Sequence, residues 1–304
     1  MSDSRVSTDR LEVIDLWSDD YRTEDFLRAA IEELREEHGN PDQPMGMYCL
    51  PATDPRSSLA RAVELERFGA SFDNDVPLMR ELYGEFEEAG VTELLCVVDH
   101  VNGRPAGVIR TVRNTEELGC RILNDLQADG ENGWGLTWDE ILERSDFAAE
   151  RPEDIIDIPT IAVATEYAGS RRADGVSKAL CAAVLQHALR SDANTWVCSL
   201  DRVPYQLIQA YTADVMEEFE GVEGRPYHGA ADTVPLWCNF REYEARLRRD
   251  HADLHALYCN NAGLQDYFFG WPDERVIDLR DSTLASGQTG ADVQADDDQA
   301  TARR

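Results

Sequence analysis

Apolar residues along the chain recur in short groups of two different periods, and the order of those groups predicts the elements. Phe26, Leu27, Ala30, Ile31 and Leu34 recur at helical spacing behind Thr23, whose hydroxyl suits a helix N-cap. Met47 to Leu50 reads as a strand. Asp54 followed by Pro55 opens a helix through Phe68, and a second helix covers about Val76 to Ala89. Thr92 to His100 is rich in β-formers, Asn102-Gly103 supplies a tight turn, and Pro105 to Val112 returns, which predicts a hairpin.

Residues 114 to 156 are less regular, with a DGENGWG loop at Asp129 to Gly135 and a short helix at Trp138 to Glu143. Beyond them the periods alternate: strand Ile158 to Thr165, helix from about Gly175 to Leu189, strand Thr195 to Leu200, helix Pro204 to about Phe219. A return strand near Pro235 to Asn239 and a helix from Phe240 to about Cys259 follow. Strands and helices are interspersed throughout, which is an α/β chain with no internal repeat.

Composition narrows the setting. The 304 residues carry 60 acidic and 29 basic side chains, a net charge of −31, and Lys178 is the only lysine. Such a surface repels nucleic acid and anionic membranes. No apolar run approaches the ~18 residues of a membrane span and no apolar leader follows Met1, so a cytoplasmic protein is expected. The seven cysteines are odd in number and include no CxxC pair, which fits reduced thiols better than a disulfide framework. Asp281 to Arg304 holds hardly a large apolar residue and is expected to be a disordered acidic tail.

The segment EYAGSRRADGVSKALCAAVLQHAL, between two predicted strands, places Arg171, Arg172 and Gly175 at the entrance to a helix. N–H groups there lack intrahelical partners and bind anions, and arginine adds charge-assisted bonds of roughly 1.5–3 kcal/mol each. Arg172 to Ser177 resembles the R/Q-x-x-G-x-G/A pyrophosphate loop of GNAT acyltransferases, with Ser177 in the final small position. TIAVATEY before it resembles that family's fourth strand.

The resemblance implies a GNAT-like mixed, mostly antiparallel sheet flanked by helices over residues 46–240. A helical extension (1–45) outside the catalytic core, a C-terminal helix and segment (241–280) and the tail (281–304) complete the chain. It implies an acyl-CoA co-substrate, acetyl or longer. Arg171, Arg172, Gly175, Val176 and Ser177 would hold its pyrophosphate, and the strand edge around Ala164 would pair with its amides. The acceptor would be a small-molecule amine attacking the thioester directly. Glu166 or Asp157 would serve as base, each having an ion-pair reading beside it. Tyr211, with Tyr205 as fallback, would protonate the thiolate or simply pack in the core.

RAVELERFGASFDND (Arg61 to Asp75), GVIRTVRN (Gly107 to Asn114) and LNDL (Leu123 to Leu126) resemble the acyl-homoserine-lactone and N-acyl-amino-acid synthase branch. The segment of about 43 residues between the third and fourth strands would there help enclose a long acyl chain, or be a surface insertion. Acyl carrier protein is a second donor, disfavoured by its like charge. A non-catalytic module that binds CoA thioesters is the rival class. His251, His255 and Cys259 share one face of a continuous helix, but with no fourth ligand they read as packing residues, and no metal is expected.

Overall fold

The run from Thr92, buried on both faces, folds back on itself at Gly103, which has φ +62° and so suits glycine, and this hairpin lies in the interior of the sheet. The computed structural model describes residues 15–38, 43–145, 151–168, 171–191, 193–264 and 277–278. In chain order the strands are β1 (Met45–Pro51), β2 (Thr92–Asp99), β3 (Arg104–Arg113), β4 (Ile155–Val163) and β5 (Thr195–Asp201), then β6 (Glu217–Glu218), β7 (Arg225–Tyr227), β8 (Ala230–Asn239) and β9 (Ile277–Asp278). They form one sheet in the order β6-β8-β5-β4-β3-β2-β1-β9, with β7 also beside β8. All pairings are antiparallel except β4 with β5 and β1 with β9. The fold class is therefore a mixed, mostly antiparallel sheet flanked by helices.

Helices α1 (Glu24–His38), α2 (Ser58–Phe72), α3 (Val76–Glu88), α4 (Arg121–Gln127), α5 (Trp138–Glu143), α6 (Arg171–Arg190), α7 (Arg202–Thr212), α8 (Phe240–Asp250) and α9 (Ala252–Asn260) flank it. Position 107 on β3 sets how closely α6 packs. A Cβ there would lie 2.7 Å from Val176 Cγ1 and 3.1 Å from Leu180 Cδ1, so only glycine admits the helix at this depth. Arg110, on the opposite face of β3, bonds Glu64 of α2. Thus α2 and α6 cover opposite faces.

Several expectations are corrected. Ala30, Ile31 and Leu34 of α1 are buried in the same core as β1 to β3, so this helix is part of the main body and not an addition outside it. Thr23 Oγ1 accepts the Phe26 N–H at 3.2 Å, as its N-cap reading requires. Helix α6 begins at Arg171, one turn earlier than about Gly175, because nothing in RRAD breaks a helix. Helix α7 stops at Thr212, well short of Phe219, where Ala213 and Asp214 turn into the left-handed region at φ 53° and 57°. The expected single helix from Phe240 divides at His251 (φ −138°, ψ 60°) into α8 and α9. The expected C-terminal tail lies outside the described residues.

Candidate active site

Strand β4 meets β5 only over Ile155–Asp157 against Thr195–Val197, and beyond that point the two part. The cause lies in β4 itself. From Arg110 to Val112 the β3 register advances two residues while β4 runs three, from Thr160 to Asp157, so β4 carries a bulge at Ile158-Pro159. A bulge bends its strand, and Pro159 offers no N–H to a neighbour. Ala164 donates its N–H to Ala106 O at 2.9 Å, which fixes the alternation. Residues 160, 162 and 164 turn their backbone groups to β3, while Ile161 and Val163 turn theirs into the gap before β5.

The gap opens into a cleft of about 1280 Å3 whose wall runs from β4 and β5 to α2, the start of α4 and the turn between β7 and β8. On the other face of the sheet a small apolar pocket lies beneath α6, α7 and α8. Ile161 and Leu200 line both, so the parting of the strands is the link between them.

At the floor of the cleft, Asp157 is wholly buried. Its Oδ2 accepts the Ile122 N–H at 2.9 Å, and Oδ1 has no hydrogen-bond partner. Burial pushes the carboxyl up to about 7, against the opposing pull of the Ile122 hydrogen bond. Oδ1 is shut off from solvent, although the residue itself lines the cleft.

Beside it stands a polar group that the sequence reading missed. Arg121 Nε donates to Asp125 Oδ2 at 2.7 Å, and Tyr227 donates its hydroxyl to the same oxygen. Arg121 also meets His228 Nε2 at 2.6 Å. An arginine only donates, so this nitrogen accepts and the imidazole proton sits on Nδ1. Burial, and then the Arg121 charge, hold the His228 imidazole below its ordinary range. His228 itself has φ +43°, in a turn before Gly229 at φ +87°. The local signal for this group was the His-Gly pair, a turn pattern with no fixed spacing to Arg121.

A second polar layer braces the cleft from behind. Arg110 Nε and Nη2 donate to the two oxygens of Glu64 at 3.0 and 2.6 Å, and Arg61 Nη2 bonds Glu87 Oε2 at 2.8 Å. Glu87 also accepts from Arg110 Nη1 at 2.5 Å and from Trp17 Nε1 at 3.0 Å, and Glu64 accepts the Thr160 hydroxyl of β4. Burial works against charge on Glu87, but Arg110 and Arg61 outweigh it and hold the carboxyl below its usual range. The Arg110 guanidinium lies 4.6 Å from the centroid of Tyr83, which lines the cleft.

Of the residues singled out from sequence, Asp157 is at the cleft floor and Ala164 is buried at the end of β4 with its N–H bound by β3. Glu166 is exposed and pairs with Arg104 at 2.8 Å, the ion-pair arrangement, and it does not line the cleft. Tyr211 is 38% exposed on α7 and, like Tyr205, lines neither cavity. Val176 is buried against Gly107, while Gly175 and Ser177 lie on the second turn of α6, where their N–H groups are committed within the helix. The side chains of Arg171 and Arg172 lie outside the described residues.

No family model matches the chain, and no curated protein matches it. Among solved structures the chain is similar to FeeM, an N-acyl amino acid synthase from uncultured soil microbes, with a TM-score of 0.47 at 13% identity over 67% of this chain and 94% of that one. It is similar to a putative acetyltransferase of the GNAT family from Desulfovibrio desulfuricans, with a TM-score of 0.40 at 14% identity over 64% and 99% of the two chains. A third is BjaI, a CoA-dependent acyl-homoserine lactone synthase solved with SAM and isopentyl-CoA, with a TM-score of 0.41 at 11% identity over 67% and 89%.

Proposed function

We propose that the chain is an acyltransferase that moves an acyl group from an acyl-CoA thioester to an amine in the cleft between β4 and β5. The observation that carries this reading is the open edge of β4. Ile161 and Val163 each turn one N–H and one C=O into the gap, two residues apart. The pantetheine arm of coenzyme A has two secondary amides and is therefore suited to add to this edge as an extra strand does, while its thioester reaches the cleft. The start of α6 with Arg171 and Arg172 would take the pyrophosphate, for which the sequence resemblance is the support. The apolar side chains of the pocket reached past Ile161 and Leu200 suit an acyl group, and a chain longer than acetyl would have to widen it.

In the reaction the amine nitrogen attacks the thioester carbonyl, the N–C bond forms, and the proton shed by nitrogen passes to the Asp157 carboxylate. The C–S bond then breaks and the sulfur leaves as thiolate. A thiol is acidic enough to leave as its anion without obligatory protonation, so the step does not require Tyr211. We assign Asp157 as base in place of Glu166 because it faces the cleft and titrates near the pH at which a general base works best.

Calorimetric titration with acetyl-, octanoyl- and palmitoyl-CoA, followed by a thiol-release screen over amines, tests the reading. Binding that tightens with chain length, with amine-dependent thiol release, is expected. Binding without release from any amine would instead identify a non-catalytic thioester-binding module. Binding of none of them, by protein shown to be folded, would remove the CoA assignment; release from an acylated carrier protein would then identify that donor.

A further inference from the structure

Outside the cleft, three different metal-ligating side chains converge where α8 turns into α9. Glu244 of α8 and His255 and Cys259 of α9 present a carboxylate oxygen, an imidazole nitrogen and a thiol sulfur that all lie within 4.8 Å of one another. His255 Nε2 is 2.8 Å from Glu244 Oε1. The break at His251 creates this meeting. In one continuous helix residues 244 and 255 would be about 16 Å apart along the axis at 1.5 Å per residue, and the turn between α8 and α9 brings them into hydrogen-bond contact. Within α9, His255 and Cys259 are one turn apart and share a face.

We propose that Glu244, His255 and Cys259 bind a divalent cation of the zinc type, with water completing the coordination. One sulfur, one nitrogen and one oxygen make a donor set of borderline softness, which favours zinc over calcium or magnesium. Ligand atoms about 2.0–2.3 Å from a tetrahedral zinc stand about 3.3–3.8 Å from one another. The present spread, from 2.8 Å to within 4.8 Å, brackets that spacing. All three residues are half-buried, which gives the ion a path in and leaves a fourth position facing water. Arg248 shares Glu244 Oε1, and its charge opposes a cation there; its side chain is 69% exposed and free to swing into solvent. The site differs from the His251, His255, Cys259 trio of the continuous-helix reading, because the helix break replaces His251 by Glu244.

Cobalt(II) titration of the full chain, free of added tags, is the test, because cobalt reports its own ligands and zinc then displaces it. One equivalent giving a thiolate-to-cobalt charge-transfer band is expected, with the band absent in Cys259→Ser and cobalt affinity at least tenfold weaker in His255→Gln. His251→Gln should bind within twofold of the parent. Melting curves without metal establish that each variant is folded. No thiolate band in the parent, a band that survives Cys259→Ser, or a His251→Gln loss as large as that of His255→Gln would overturn the assignment. None of these readouts involves coenzyme A, so the result stands apart from the fate of the acyltransferase reading.

Discussion

Asp157 in β4 and Ile122 at the start of α4 are joined by one hydrogen bond of 2.9 Å, from the Ile122 N–H to Oδ2, while the second carboxylate oxygen has no partner. A carboxylate held by one oxygen and unpaired at the other is oriented and still basic. With its carboxyl pushed up to about 7 by burial, kcat/KM should rise with pH and level off above a midpoint near 7. Asp157→Asn should lower turnover by about 100-fold or more with acyl-CoA affinity kept. Steady-state kinetics from pH 5.5 to 9 measure both, and unchanged turnover would remove Asp157 from the reaction.

The same carboxyl makes stability depend on pH. An unfolded Asp titrates near ~3.9, so between about pH 4 and pH 7 the folded chain binds more protons, and this residue's contribution to stability falls as pH rises. Above the folded value its penalty is complete, at most about 4 kcal/mol for a rise of ~3 units. Asp157→Asn should therefore be more stable than the parent at pH 8 and nearly equal to it at pH 4. Denaturant titrations of both proteins at the two pH values check the sign.

Removing Arg110 should be among the most damaging single changes. In Arg110→Met the Glu64 and Glu87 carboxylates stay buried with one partner fewer, which costs about 3–5 kcal/mol. Thermal melting and the far-UV spectrum measure the loss. A change below about 1 kcal/mol would show the network to be dispensable.

Gly107→Val tests the packing of α6. Its β-carbon alone would stand 2.7 Å from Val176 and 3.2 Å from the Ala162 carbonyl, so the helix has to shift, at about 1–3 kcal/mol. A lowered melting temperature with weakened donor binding is expected, since α6 leads from the proposed pyrophosphate site.

Glu166→Gln and Tyr211→Phe form the contrast to Asp157→Asn. One side chain is an exposed ion-pair partner and the other lines neither cavity, so turnover within twofold of the parent is expected for both. A loss of tenfold or more in either would return that residue to the mechanism.

Period and turn chemistry made the central elements legible: the hairpin at Gly103, β5 and α3 lie within a few residues of where the pattern puts them. What escaped depends on distance in sequence. The α4 helix is short and took its meaning only from the carboxylate of Asp157, 35 residues later, and the Arg121, Asp125, Tyr227 and His228 group joins segments about 100 residues apart. The bulge in β4 was invisible because IPTIAVAT reads as an unbroken strand, although Pro159 marks the place. Sequence leaves Glu166 and Asp157 side by side as candidate bases, and burial, which no local pattern reports, separates the two carboxylates.

For a chain with a net charge of −31, the setting of Arg61, Glu64, Glu87 and Arg110 bears on the salinity it tolerates. Dissolved ions screen exposed charges over about 10 Å at 0.1 M and act much less on pairs sealed from water. Salt should therefore relieve the repulsion among surface carboxylates and raise the melting temperature, while the brace behind β4 holds its geometry in dilute buffer and brine alike. Ionic strength would then govern how firmly the chain stays folded and how an anionic donor approaches, with the shape of the cleft floor left constant.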